Sequence, residues 1–358
     1  MGRARAGRLS PSTAILFCLG TIVAAVLAVS GCAHQEDGFY LVGEEEQRQR
    51  LAALFDLLDE ATDAKRRVAL MEQISGHLVS AGYPERMRIL LTSHVESQPR
   101  DPYNAYYLLL VAQSYEEDAP DLAQHYYDRL VTNYSDVSIR ESSAHYMALR
   151  RLINMSVDSA ARIDYYRNLI DRFPERIDVG KMQYYLAKTY EQLGEWDAAY
   201  AAYKDFLKYP DTAIPGYPDA HDDIRRKVAF FDSSKDWTMD NLDDLVSAIK
   251  YALWRQDSRM LLRLRAEENF FAMSWEQQAD DFNSRSPFNL GIFLERSRVR
   301  YAEDIDVNSN AQEAYLRTWG WSHRISTWYL YFRRVDFPAN PEIHGDWEWA
   351  GILFGEAI

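Results

Sequence analysis

At 358 residues the chain is long enough for two domains. It holds 54 Asp and Glu against 40 Lys and Arg, a formal charge of −14, so its surface repels phosphate backbones and nucleic acid is excluded as the expected partner. It has only two cysteines, Cys18 and Cys32, too few for a framework of several disulfides.

Residues 1–31 contain no Asp, Glu or Lys, start with Arg3, Arg5 and Arg8, and run on as TAILFCLGTIVAAVLAVSG. A short basic start, an apolar stretch and small residues have the form of a secretory signal. A membrane-spanning anchor needs about 20 apolar residues. Ala14 to Val29 is shorter than that and is followed by an acidic segment. The last four residues, VSGC at Val29–Cys32, resemble the lipobox of bacterial lipoproteins. That resemblance implies cleavage between Gly31 and Cys32 and acylation of Cys32 on its sulfur and freed amine. Cys18 would leave with the signal and the acylated Cys32 would have no partner, so the resemblance implies a fold held by apolar burial without a disulfide. Lasting anchorage needs more than one acyl chain, and a triacylated Cys32 meets that condition. Ala33 stands where an Asp would retain enteric lipoproteins at the inner membrane, so the expected place is the periplasmic face of the outer membrane. Residues 32–43 then form a tether.

The next part repeats. VESQP (Val95–Pro99), VTNYS (Val131–Ser135), IDRFP (Ile170–Pro174) and FLKYP (Phe206–Pro210) share one ending, and the markers Pro99, Ser135, Pro174 and Pro210 lie 36, 39 and 36 residues apart. Amphipathic stripes precede them. Leu108, Val111, Ala112 and Tyr115, then Ala123, Tyr126, Tyr127 and Leu130, follow the i, i+3, i+4, i+7 rule of a helix face. Tyr166, Leu169, Ile170 and Phe173 do the same. So do Leu186, Thr189, Tyr190 and Leu193, and then Ala199, Ala202, Tyr203 and Phe206. In YYLAKTYEQLGEWDAAYAAYKDFLKYP (Tyr184–Pro210), the residues Leu186, Ala187, Tyr190, Gly194, Ala199 and Tyr203 stand at signature spacing, and the segment resembles a tetratricopeptide repeat. Residues 44–215 are expected to form the repeat region, with Glu44–Ala61 as a capping helix. The resemblance implies a curved helical stack whose concave face docks partner proteins. The named aromatics are expected to be core, leaving contacts to polar residues between the stripes.

Two prolines and a glycine in DTAIPGYPDAHDD (Asp211–Asp223) break the pattern, so residues 216–236 are read as a linker with a capping helix. Residues 237–358 read as a small α+β domain. Met239–Phe271 is helical in pattern, and the aromatic, β-branched STWYLYFRRVDF (Ser326–Phe337) and DWEWAGILF (Asp346–Phe354) read as strands of an antiparallel sheet. In the second, Trp347, Trp349, Gly351 and Leu353 alternate with Glu348, Ala350, Ile352 and Phe354. Five of the nine tryptophans fall between Trp319 and Trp349. They fit the core of a small sheet better than a platform for sugar or peptide, because tryptophan buries so large an area.

Chemistry is scarce. Asp304, Asp306, Asn308 and Asn310 alternate as in a calcium loop, but Ser309 and Tyr315 stand where such a loop needs Gly and Glu, so a polar turn is expected. Ala220–Asp223 (AHDD) places one His beside two carboxylates, with no second His at i+3 or i+4. No nucleophile elbow and no phosphate loop occurs. The expectation is therefore a mainly α chain, a tetratricopeptide-type solenoid followed by an α+β domain. It has no catalytic, metal or cofactor residue, and Cys32 is its lipidated position. It reads as a scaffold of the bacterial envelope, membrane-bound through Cys32 and holding envelope proteins on the repeat face. In plan it resembles the repeat lipoprotein subunit of the outer-membrane β-barrel assembly machinery, which lacks a domain like 237–358. The other class left open is a ligand-binding or cell-wall-active lipoprotein that uses the Trp-rich domain.

Overall fold

The computed structural model describes residues 38–275, 297–322 and 325–355. They fall into two compact units, one ending at Phe173 and one beginning at Pro174.

The first unit is a run of helices: α1 (Glu45–Asp59), α2 (Ala64–Ser80), α3 (Pro84–Ser97), α4 (Asn104–Tyr115), α5 (Pro120–Asn133), α6 (Ala144–Met155) and α7 (Ser159–Arg172). The sequence sets their starts. Asp63, Ser143 and Asp158 accept the backbone N–H of Arg66, Tyr146 and Ala160 at 3.0, 3.0 and 2.9 Å, while Pro84 and Pro120 open α3 and α5. Each consecutive pair packs as a hairpin. Leu108, Val111, Ala112, Ala123, Tyr127 and Leu130 are fully buried between α4 and α5, as the stripes predict. A two-stranded hairpin, β1 (Ser138–Ile139) and β2 (Ser142–Ser143), lies between α5 and α6. Its turn residues Arg140 and Glu141 both have positive φ, 50° and 66°. This insertion falls inside the longest marker interval, Ser135 to Pro174.

The second unit opens with α8 (Val179–Leu193) and α9 (Trp196–Phe206). Asp178 caps α8 at the Lys181 N–H, 2.9 Å away. Gly194 ends it in the left-handed region at φ 73°, and the Glu195 N–H returns to the Tyr190 carbonyl at 3.0 Å. Leu186, Ala187, Tyr190, Ala199 and Tyr203 are buried. Leu193 is not: it is 43 % exposed, because α8 ends there and the stripe has run past its partner helix. Next come α10 (Ala220–Asp232), α11 (Leu242–Arg255) and α12 (Ser258–Leu264). Met239–Phe271 is thus two helices and the start of a strand. Gln256 breaks the run at φ 53°, and Asp257 caps α12.

The sheet has the order β3-β7-β6-β5-β4, with β3 (Phe271–Ser274), β4 (Arg300–Tyr301), β5 (Glu313–Trp319), β6 (Thr327–Arg334) and β7 (Trp347–Phe354). Pairing is antiparallel from β4 to β7, but β3 runs parallel to β7, so the sheet is mixed. That parallel neighbour lies close because position 351 is glycine: a Cβ there would stand 2.6 Å from the Phe271 ring.

One face of the sheet packs on α11 and α12, with Leu245, Ile249, Leu253 and Leu261 against Leu316, Trp328, Leu330, Phe332, Trp347 and Trp349. The simple alternation in β7 fails at one place. Tyr331 pairs with Gly351 and Phe332 with Trp349, which leaves Ala350 as a bulge. An extra residue flips every later side chain to the other face. Trp347 and Trp349 therefore share the core with Ile352, not with Gly351 and Leu353.

Candidate functional site

In the second unit a groove of about 460 Å³ runs between the α8–α9 hairpin, α10 and the chain that leaves β6. One wall is aromatic. The core stripe of α9 (Ala199, Ala202, Tyr203, Phe206) turns Tyr200 toward α10, where it stacks on Phe231 with ring centroids 3.8 Å apart. Phe337, just past β6, meets Phe230 and Phe231 edge-on at 5.2 and 6.0 Å. Trp196 and Pro338 complete this side. Lys235 fastens it from behind. Its Nζ donates to the carbonyls of Phe231 and Ser233 at 2.9 and 2.6 Å, and stands 5.5 and 5.0 Å from the Phe230 and Phe337 rings. Burial lowers its pKa.

The rest of the lining is charged. Glu348 is 1 % exposed, and it accepts Arg333 Nε at 2.7 Å and the indole N–H of Trp237 at 2.8 Å. With Nε spent, the forked end of Arg333 borders the groove. Arg334, on the other sheet face, lies over Trp347 at 4.8 Å and donates to the Ala311 carbonyl at 3.0 Å. Lys227 pairs with Glu191, which also accepts Lys188 at 2.7 Å. Burial raises the Glu191 carboxyl, but the two ammonium groups outweigh it and hold the pKa below the usual carboxylate value. Arg226 leans on Asp223. A guanidinium grips a carboxylate through two parallel hydrogen bonds, and a flat aromatic wall accepts an apolar side chain. Together these suit an extended segment that carries both.

Cys32 lies outside the described residues. The expected tryptophan core is present: Trp321, Trp328, Trp347 and Trp349 are 0–4 % exposed, and Trp319 alone of the five reaches solvent at 37 %. Residues 304–310 form a polar turn between β4 and β5. Asp306 accepts the Asn308 N–H at 3.0 Å and Asn310 accepts those of Gln312 and Glu313 at 2.8 and 3.0 Å. At the start of α10, His221 stacks on Phe206 at 4.2 Å, Asp222 pairs with Arg225, and Asp223 accepts the Tyr217 hydroxyl at 2.6 Å. Among the described residues no His, Cys, Asp and Glu cluster could hold a metal, and no helix is long and apolar enough to cross a membrane. The groove residues Lys227, Arg333 and Glu348 were not singled out by the sequence. One signal was there: Glu348 is the only charge inside the apolar WEWAGILF.

Residues 182–212 match the family model of the tetratricopeptide repeat. This one segment is similar to a tetratricopeptide repeat. No curated protein and no solved structure matches the chain. The matched repeat is the α8–α9 hairpin, and Glu191, Trp196 and Tyr200 of the groove lie inside it. Its Gly194 needs the left-handed turn and its Tyr190 and Tyr203 are core.

Proposed function

We propose that this protein is a non-catalytic scaffold that docks partner proteins of the bacterial cell envelope through its helical repeats. One observation carries the reading: the matched tetratricopeptide repeat forms a wall of a groove lined by aromatic rings and guanidinium groups. Repeats of this kind stack so as to present a continuous surface to a partner. The dense tryptophan core of the sheet supports this reading over a ligand cavity inside that domain. The scaffold is held to the periplasmic face of the outer membrane by acylated Cys32 and serves protein assembly or transport there.

Crosslinking in intact cells, followed by purification from gently solubilised membranes, tests the docking role. A defined envelope partner should be recovered with the wild type and lost with Trp196→Ala and Arg226→Ala, both partly exposed, at unchanged melting temperature. Equal recovery with all three proteins would rule out the groove as the docking site. The anchor has its own test. Cys32→Ser should move the protein from the membrane to the soluble fraction, and continued sedimentation with membranes would refute acylation as the hold.

A further inference from the structure

The chain is acidic overall, yet one stretch reverses the balance. From Lys250 to Arg265 stand Lys250, Arg255, Arg259, Arg263 and Arg265 against a single acid, Asp257. Asp257 is engaged as the cap of α12, accepting the Met260 N–H at 3.0 Å. Helices α11 and α12 sink their inner faces into the same core. The outer side is acidic at the start of α11, where Asp243 and Asp244 are exposed, and turns aromatic and basic toward α12. Trp254 is 63 % exposed, Tyr251 50 % and Leu262 46 %, and Arg255, Arg259 and Arg263 are exposed around them. The Tyr251 and Trp254 rings are 6.1 Å apart, and the Arg255 guanidinium is 5.9 Å from the Tyr251 ring. Scattered apolar side chains at a surface need no explanation, but an aromatic pair, a leucine and three arginines on the outward side of one helix pair do.

Trp and Tyr have an apolar body and a polar tip, which suits them to the boundary between lipid headgroups and acyl chains. Arg grips phosphate through its fork. We propose that the outward face of α11 and α12 docks on a membrane surface rich in anionic headgroups. Trp254, Tyr251 and Leu262 enter the boundary layer, and Arg255, Arg259 and Arg263 meet the phosphates. The net acid of the remaining chain makes the contact selective, since an anionic surface attracts this face and repels an acidic one. An acidic protein would match the sign of the arginines equally. Lipid is favoured because Trp254, Tyr251 and Leu262 stand exposed among the arginines, and a headgroup boundary accepts apolar bodies and phosphate-seeking tips together. The proposal does not depend on acylation of Cys32.

The test is sedimentation of the full chain with vesicles, either phosphatidylcholine alone or an equal mixture with phosphatidylglycerol. The wild type is compared with the triple variant Arg255→Gln, Arg259→Gln, Arg263→Gln; residues 1–31 are the same in both and cancel. Near an anionic leaflet each arginine multiplies binding by roughly fivefold, so the triple variant should bind the mixed vesicles on the order of 100-fold more weakly. Its binding to phosphatidylcholine should be unchanged, whereas Trp254→Ala should lower both. These positions are exposed, so the melting curves should stay in place. Equal binding of wild type and triple variant to the mixed vesicles would overturn the proposal. So would a photoreactive residue in place of Trp254 that, in native membranes, joined to a protein and never to lipid.

Discussion

Replacing Trp349 by alanine should lower the unfolding free energy by about 3–5 kcal/mol. Trp349 is fully buried on β7, which pairs with β3 on one side and β6 on the other. Its indole N–H donates to the Gly351 carbonyl at 2.9 Å across the Ala350 bulge. Its ring meets Phe270 edge-on at 5.4 Å, and its carbonyl accepts the Ala266 N–H at 2.9 Å, where the chain leaves α12. Alanine would leave a cavity where helix, bulge and sheet converge, and a close-packed interior collapses into such a space only in part. Trp319→Ala is the control. It lies 37 % exposed near the sheet edge and should change stability far less. Urea unfolding followed by circular dichroism reads both, and similar midpoints for the two variants would contradict the packing described here.

The second large effect is expected at Tyr203, in the matched repeat. Tyr203 is fully buried where α8, α9 and α10 meet. Its ring lies 6.2 Å from Tyr184 and 6.1 Å from Tyr200, and the Lys227 ammonium sits 5.3 Å away. Tyr203→Ala should cost about 3–5 kcal/mol. It should also loosen Tyr200 and Lys227, which border the groove, so partner capture should fall with stability. Tyr203→Phe keeps the ring and should keep most of both. A Phe variant as unstable as the Ala variant would mean that the hydroxyl, not the packing, holds the site.

The helices were legible because each buries one stripe. A 3.6-residue period survives in Ala123, Tyr126, Tyr127 and Leu130 even though the ending after them, VTNYS, has Ser135 where the others have proline. Cap residues such as Asp178 and Gly194 mark their own helix ends by local hydrogen bonding. Strands β6 and β7 were legible from their aromatic and β-branched composition. The parallel partner β3 was not, since Phe271 and Gly351 meet only through tertiary folding and neither carries a local sign of it. Nor was the bulge at Ala350, because an alternating pattern does not disclose where its phase slips. The groove was the least legible feature. Its charges come from α8, α10, β6 and β7, and a carboxylate such as Glu348 reads as a solvent-facing strand position until Arg333 and Trp237 are seen to cover it.

The proposed role of the groove beside the tetratricopeptide repeat is to hold a partner protein. Its most direct test places a photoreactive phenylalanine at Trp196, inside the groove, or at Val307, which is 96 % exposed in the polar turn between β4 and β5. Irradiation of intact cells should give one discrete protein adduct from position 196, absent from position 307 and abolished by Arg226→Ala. No adduct at 196, or the same adducts from both positions, would contradict a docking role for this groove.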